Sequence, residues 1–510
     1  MVEEQSYNNK RIAKNTIYLY FRMICLLVIN LYTSRVVLKS LGVDDFGIYN
    51  VVGGFVSMFA ILSNTLTASI SRYITFELGK NDLNKLKKIY SSSLTIQVVI
   101  AIIVFMLAEI GGIWFLNYKM TFNPHRYDAA FWVLQSSIFA FCIDIIKVPF
   151  KALIIAHERM NVFAYISVFD AILILCLCML LSLTPYDVLI TYAVFMALDT
   201  LIMSFVYYFY SNHNFEECSF CLNKDKVLYK ELLSFSGWSF IGGASSVLRD
   251  QGGNILLNIF WGTVANAARG VSTQVSTAVT AFSNNIVTAI NPQITKQYAM
   301  GNLGYAFNLV ILGARFSTFF LLFVSLPIFM EAPAVLDMWL YEVPQYSVLF
   351  VRLVIVFTIV ENLSYTMITL MLATGKIRNY QLVVGGTQLL NLPVAYAFLK
   401  FGFGPEWIFI VAIFISIMCL ILRLIMLKKM INFPVIDFSR RVLLSAIIVV
   451  IGSLIAPFLF KIIFNSNSLL FVALDIIVCV LSVGLFSFFG GCNKHERSII
   501  LGKLSNVLKR

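Results

Sequence analysis

Three arginines, Arg22, Arg249 and Arg269, lie inside long apolar runs of this sequence. A cation at the centre of a bilayer costs on the order of 3 kcal/mol or more, so it normally faces water, a charged partner or a ligand. The guanidinium group keeps its proton and binds phosphate oxygens through two parallel hydrogen bonds. These residues could therefore recognise a phosphate-bearing anion. Ion pairing is the structural alternative, since Asp250 could neutralise Arg249 or Arg269.

Polar and aromatic side chains accompany the arginines at helical spacing. Residues at i, i+4 and i+7 share one helix face, and this spacing produces stripes that include Asn64, Asn284, Tyr18 and Trp238. Hydrogen bonding between helices explains any one of these residues, but stripes at corresponding places in two halves of the chain indicate a polar cavity. The predicted substrate-binding residues are Arg22, Arg249, Arg269, Asn64, Asn284, Tyr18 and Trp238.

Embedded carboxylates are the candidates for carrying H⁺ or Na⁺. Asp144 is followed one turn later by Lys147, whereas Glu361, at the corresponding place of the second half, is followed by Ser364. Glu361 is our first choice because its sequence neighbourhood offers no such cation. The full candidate set is Glu361, Asp144, Asp250 and Asp199.

No nucleotide motif is found, so an ion gradient or the membrane potential is the expected energy source, and we expect no cofactor. Cys218 and Cys221 form a single C-x-x-C pair with His213 nearby. A structural metal centre would need a fourth ligand. We therefore predict no metal site.

The composition predicts an all-α polytopic membrane protein. The 510 residues are 59% hydrophobic and only 13% charged, whereas soluble domains are about 25% charged. Fourteen apolar runs are each long enough to cross about 30 Å of hydrocarbon. They lie at about residues 12–38, 46–75, 89–116, 127–150, 162–183, 187–211, 231–260, 263–295, 305–330, 346–373, 380–400, 406–427, 441–462 and 468–489.

An internal repeat divides the predicted helices. Gly42 aligns with Gly262, and further along the same register Thr75 aligns with Thr295. We predict two six-helix pseudo-symmetric halves in parallel orientation, followed by two extra C-terminal helices. The expected divisions are an N-terminal half at 1–211, a linker at 212–230, a second half at 231–427, and the extra helices with a tail at 428–510. Two halves around a shared cavity are typical of alternating-access transporters.

Charge placement predicts the orientation. With the N-terminus inside, the inner connections and termini hold 25 of the 38 Lys and Arg residues, and the outer connections hold five. This bias indicates a multi-pass protein with both termini in the cytoplasm. It also explains the net charge of +12 through contact with anionic membrane lipids, so no nucleic-acid partner is expected.

The span from Leu41 to Thr75 contains LGVDDFGIYNVV, followed by an Asn/Thr/Ser-rich helix with SRYI near its end. It resembles the polysaccharide (O-antigen type) flippase branch of the multidrug/oligosaccharidyl-lipid/polysaccharide exporter superfamily. The resemblance implies movement of a polyprenyl-pyrophosphate-linked oligosaccharide from the cytoplasmic to the periplasmic leaflet of a bacterial inner membrane. It also implies a role in surface polysaccharide or lipopolysaccharide assembly, with a polysaccharide polymerase and a chain-length regulator as partners.

Two alternatives come from other functional classes. An ion-coupled multidrug exporter of the same superfamily would need an acidic cavity for cationic drugs, and the deep residues of the first helix in each half are mainly arginine. A membrane glycosyltransferase or polymerase would need a sizeable loop with catalytic groups, whereas the longest outer connections, about 117–126 and 331–345, are short. We therefore do not expect an enzyme.

Overall fold

The computed structural model describes residues 2–57, 60–80, 82–118, 124–219, 225–340, 343–464, 468–493 and 496–498. Every regular element in these ranges is helical, which confirms the predicted all-α class. The described part of the chain contains nine helices that are long and apolar enough to cross a membrane. Helices α1 and α7, which carry predicted polar stripes, are outside that set. Cys221 lies outside the described residues.

The helices are α1 Val2–Ser57, α2 Ala60–Lys80, α3 Leu83–Tyr118, α4 Tyr127–Ala156, α5 Met160–Leu180, α6 Val188–Asn214, α7 Lys226–Ala299, α8 Leu303–Met330, α9 Ala332–Trp339, α10 Ser347–Asn362, α11 Tyr365–Ala373, α12 Arg378–Lys400, α13 Trp407–Ile431, α14 Val435–Phe464 and α15 Leu469–Phe486. Each of the fourteen predicted spans falls on one or two of these helices.

The predicted breaks after the first and seventh spans are present as sharp bends inside α1 and α7 rather than as separate loops. In α1 the chain changes direction at Gly42, whose φ of 75° is a conformation that glycine adopts without a Cβ penalty. In α7 the Arg269 side chain donates a 2.9 Å hydrogen bond to the carbonyl of Asp250. A straight helix would separate these residues by about 28 Å, so α7 folds back on itself between them.

Contacts divide the chain into two compact units, residues 1–243 with 295–301, and residues 244–294 with 302–510. In the first unit, α1, α3, α4 and α6 enclose a core that includes Val52, Leu134 and Ile138. In the second unit, α14 and α15 pack on α8, where Cys479 and Leu322 are fully or almost fully buried. The divisions predicted from the repeat stay predictions.

A charged cluster lies at the end of the first unit that contains the start of α4 and of α6. Arg126 donates through Nε to Asp45 at 2.9 Å and forms an ion pair with Asp187. Asp187 also caps α6, because its carboxylate accepts from the backbone N–H groups of Leu189 and Ile190. Burial works against the ionised form of Asp187, but the Arg126 and backbone hydrogen bonds bring its pKa below its ordinary value. Asp45 belongs to the LGVDDFGIY segment, which thereby anchors the loop before α4.

Candidate functional site

A cavity of about 490 Å³ lies within the second unit, between the two arms of α7 and helices α10, α12 and α13. Four predicted site residues line it, namely Arg249, Asp250, Arg269 and Asn284. The rest of the wall is rich in uncharged hydrogen-bonding side chains, namely Asn254, Thr273, Ser276, Thr277, Thr280 and Asn391. The structure therefore combines guanidinium groups with a neutral polar surface.

Arg249 is the more fully paired of the two arginines. Its Nε lies 2.9 Å from Oδ1 of Asp250, and its Nη1 lies 3.9 Å from Oε1 of Glu361. Its guanidinium also packs over the Phe357 ring at 5.0 Å. The side chain is 13% exposed. Two carboxylates thus compensate one buried cation, as the ion-pairing alternative predicted for Arg249.

Arg269 has no carboxylate bonded to it among the described residues. Its Nη2 donates to the backbone carbonyl of Asp250 at 2.9 Å, while its buried Nη1 has no hydrogen-bond partner in the described part of the chain. Its guanidinium lies 5.6 Å from the centre of the Phe409 ring. Asp250 therefore contacts both arginines: its carboxylate forms an ion pair with Arg249, and its backbone carbonyl accepts a hydrogen bond from Arg269.

The Arg269 guanidinium fits against a glycine on the opposite arm of α7. A Cβ atom at Gly253 would lie only 2.4 Å from Nη1 and 2.8 Å from Nη2. No side chain larger than hydrogen fits there unless Arg269 moves. Sequence reasoning missed this contact, since it depends on the fold-back of α7.

Glu361 has partners that its sequence neighbourhood did not reveal. Ser416 donates to Oε1 of Glu361 at 2.5 Å, and Arg249 supplies the cation that the sequence comparison with Asp144 had not found. This corrects the argument that ranked Glu361 first, because the carboxylate lies in an ion pair with Arg249.

Arg423 is one of the 25 basic residues assigned to the cytoplasmic side. It is 2% exposed within α13, and its Nε lies 3.3 Å from the hydroxyl of Tyr380. The signal for its burial was present, because residue 423 falls inside the predicted span 406–427.

The carboxylates Asp144 and Asp199 line a separate cavity of about 520 Å³ in the first unit, together with Tyr49. Asp144 forms the predicted pair with Lys147, at 2.7 Å. Asp199 is 6% exposed.

Arg22, Tyr18 and Trp238 are not among the described residues that line these two cavities. Arg22 packs over the Phe163 ring at 4.7 Å, and Tyr18 makes an edge contact with Tyr165. Trp238 is half-buried. The side chain of Asn64 lies outside the described part of the structure.

The chain is similar in fold to solved transporter structures. The chain is similar to an outward-facing multidrug resistance MATE family transporter of the MOP superfamily, with a TM-score of 0.72 and 15% identity over 83% of this chain and 96% of that one. It is also similar to a MOP superfamily transporter from Pyrococcus furiosus, described as having a binding pocket of reversed polarity (TM-score 0.70, 14% identity, 85% and 97% covered). It is similar as well to a Vibrio cholerae MATE transporter, with a TM-score of 0.69 and 16% identity over 84% of this chain and 99% of that one. At these identities the likeness establishes the fold.

The sequence profile described as polysaccharide biosynthesis protein matches residues 12–297. No curated protein gave a significant match. The match spans more than half of the 510 residues and agrees with the resemblance carried by residues 41–75. Nine of the described helices are long and apolar enough to cross a membrane. The chain therefore belongs to the polysaccharide biosynthesis protein family, and it has the fold of the MOP superfamily transporters.

Proposed function

We propose that this protein moves a polyprenyl-pyrophosphate-linked oligosaccharide from the cytoplasmic to the periplasmic leaflet by alternating access, for assembly of a cell-surface polysaccharide. The observation that carries the proposal is the buried Arg269 guanidinium, which lines the cavity and has one nitrogen without a hydrogen-bond partner among the described residues. A pyrophosphate group carries at least two negative charges, and a guanidinium binds its oxygens through paired N–H donors.

The charge balance of the cavity supports an anionic ligand. Arg249 is held by Asp250 and Glu361, so these two carboxylates are already engaged. Arg269 contributes a positive charge whose nearest described partner is a neutral carbonyl oxygen. A phosphate oxygen beside Arg269 would supply the missing acceptor and the missing negative charge, and both gains are large where water is excluded.

The neutral polar wall suits the sugar part of the substrate. Thr273, Thr277 and Asn284 offer hydroxyl and amide groups on the same arm of α7 as Arg269. Sugars present many hydroxyl groups, each of which needs a donor or an acceptor when it leaves water. The polyprenyl chain can remain in the bilayer, so the cavity has to accommodate only the polar part of the lipid.

The Glu361–Arg249 pair offers a route to ion coupling. If Glu361 takes up a proton, Arg249 loses one of its two carboxylate partners and gains capacity for an anionic ligand. Proton binding would then favour substrate binding at the same cavity. A proton carried outward with the substrate offsets part of its charge but does not draw on an inward H⁺ gradient, so the energy has to come from inward movement of H⁺ or Na⁺ at other carboxylates. Asp144 and Asp199, in the other cavity, remain candidates for binding H⁺ or Na⁺. The energy source in this proposal is an ion gradient or the membrane potential.

The second candidate function is drug export, which the multidrug resistance MATE family transporter of similar fold suggests. The Asp144 and Asp199 carboxylates in the cavity of the first unit favour it, because carboxylates attract organic cations. We rank it second, since the candidate cavity of the second unit contains two arginines.

One experiment separates the two functions. Purified protein is reconstituted in vesicles, and movement of a fluorescent polyprenyl-pyrophosphate-linked oligosaccharide is measured beside uptake of a cationic dye. The proposal predicts movement of the lipid in wild type, its loss in Arg269→Ala and its retention in the control Arg378→Ala, which removes an exposed cation. Dye uptake that depends on Asp199, without movement of the lipid, would establish the second function instead.

A further inference from the structure

A further cavity of about 510 Å³ lies in the second unit between α9 and the ends of α8, α14 and α15. It shares no lining residue with the cavity around Arg249 and Arg269. Its volume falls in the range of about 300–1,000 Å³ that is typical of small-molecule sites. The wall carries charges of both signs, with carboxylates at Glu331, Asp337 and Asp475 and cations at Arg352 and Lys461.

One carboxylate in this wall, Asp475, has no hydrogen-bond donor among the described residues, and its charged neighbours are the Glu331 carboxylate and Lys461. Asp475 is 1% exposed, and neither of its carboxylate oxygens has a hydrogen-bond partner among the described residues. The neighbouring Lys461 is engaged elsewhere, because its Nζ lies 2.9 Å from Glu331 and donates to the carbonyl of Met330 at 2.8 Å. A buried carboxylate without a donor is costly, so the site favours a ligand that brings positive charge and N–H groups.

The other side of the cavity suits an anion. Arg352 donates from Nε to the carbonyl of Phe329 at 3.1 Å, which fixes the side chain while the guanidinium retains further N–H donors. Guanidinium groups match the geometry of phosphate oxygens. A ligand with both an ammonium group and a phosphate would therefore engage both sides of the wall.

The surroundings indicate that this ligand is a lipid. Phe464 and Leu469 line the cavity and are 48% and 68% exposed, in the apolar segments that cross the membrane. The charge bias assigns these helix ends to the outer side, at the level of the lipid headgroups.

We propose that this cavity binds the headgroup of an aminophospholipid from the outer leaflet, with its primary ammonium beside Asp475 and Glu331 and its phosphate on Arg352. A choline headgroup carries the same phosphate and charge but no N–H donor, so it cannot hydrogen-bond to Asp475. A glycerol headgroup lacks the positive charge. The inference depends on the contacts of α8, α10, α14 and α15, not on the identity of the transported substrate.

The test compares lipids that differ only in the headgroup. Full-length protein in detergent is titrated with phosphatidylethanolamine, phosphatidylcholine or phosphatidylglycerol of identical acyl chains, and bound lipid is counted by native mass spectrometry. We expect phosphatidylethanolamine to bind about tenfold more tightly than phosphatidylcholine, the size of one charge-assisted hydrogen bond. Soluble glycerophosphoethanolamine is included as a competitor. If the soluble competitor displaces phosphatidylethanolamine only weakly, the ligand is a lipid. If it binds as tightly as the lipid, the ligand is instead a free phosphoethanolamine compound.

Two variants assign the two ends of the headgroup. Asp475→Asn keeps the shape of the side chain but removes its charge, and it should bring the ratio of ethanolamine to choline lipid binding close to one. Arg352→Gln should weaken both lipids by a similar factor, since both carry the phosphate. Asp437→Asn, an exposed acidic residue on α14, is the control and should keep the wild-type ratio.

Equal binding of all three lipids to the wild type would overturn the proposal. So would an ethanolamine preference that persists in Asp475→Asn. A third contrary result concerns the melting temperature. If it depends on pH in wild type but not in Asp475→Asn, and is the same with every headgroup, then a proton and not a lipid ammonium satisfies the Asp475 carboxyl group.

Discussion

Gly253 and Arg269 fit together across the fold-back of α7, with room for the guanidinium only because residue 253 has no Cβ. Gly253→Ala should therefore displace Arg269 and reduce transport about as much as Arg269→Ala, although alanine is intrinsically favourable in a helix by about 1 kcal/mol. The matched control is Gly270→Ala, where an added Cβ would meet nothing within 4 Å. Vesicle transport rates and melting temperatures of both variants test this. Normal transport in Gly253→Ala would show that the position of Arg269 is unimportant.

Glu361→Gln should slow transport and flatten its dependence on pH or Na⁺ in reconstituted vesicles. The amide carries no negative charge to pair with Arg249, and it cannot bind and release a proton. Ser416→Ala is the control, because it removes the 2.5 Å hydrogen bond to Glu361 and keeps the carboxylate. It should change the rate while preserving a pH dependence. An unchanged rate and ion dependence in Glu361→Gln would leave this residue only a structural role.

The cluster of Arg126, Asp45 and Asp187 should make stability sensitive to acid. The pKa of Asp187 is lowered in the folded state. Its stabilising contribution is therefore fully present above the ordinary Asp value of about 3.9 and is lost as the pH falls through the lower folded value. The melting temperature of wild type should drop over this acidic range.

The Arg126→Ala variant should show a smaller drop in the acidic range, because the main hydrogen-bonding partner of Asp187 is missing. A double-mutant cycle with Asp45→Asn should give a coupling free energy of about 1 kcal/mol, typical of a partly exposed ion pair. A coupling of zero would mean that the Arg126–Asp45 contact contributes nothing to stability.

The charge bias predicts the topology. Reporter enzymes fused after Arg510 or within residues 212–230 should read as cytoplasmic, and one fused within 331–345 should read as periplasmic. The 331–345 fusion also tests the orientation of the lipid cavity, since Glu331 and Asp337 lie in that segment. A periplasmic signal from residue 220 would contradict the six-plus-six arrangement.

The sequence was sufficient to predict the helical class and the approximate spans, because apolar length is a local property. It also drew attention to Arg249, Arg269, Asp250 and Asn284, which line one cavity, because charged and amide side chains are rare in apolar helices. Contacts between residues that are far apart in the sequence could not be predicted from it. Ser416 is 55 positions from its partner Glu361, and the fit of Gly253 to Arg269 requires the fold-back of α7. The burial of Arg423 against Tyr380, 43 positions away, is another such contact.

The central claim is that buried arginines recognise the pyrophosphate of a lipid-linked oligosaccharide. Charge-assisted hydrogen bonds are worth about 1.5–3 kcal/mol each, so Arg249→Ala and Arg269→Ala should each lower transport by at least about tenfold. Lysine at either position should rescue only in part, since it keeps the charge but loses the paired donors. Arg22→Ala should also abolish export if Arg22 belongs to the same pathway, as its sequence context predicts.

The most direct measurement is the vesicle transport rate of two substrates with the same sugar and lipid, one linked by pyrophosphate and the other by a neutral linkage. We predict that wild-type protein prefers the pyrophosphate substrate and that Arg269→Ala loses this preference while remaining folded. An unchanged preference in Arg269→Ala, or full export by all three alanine variants, would contradict the account.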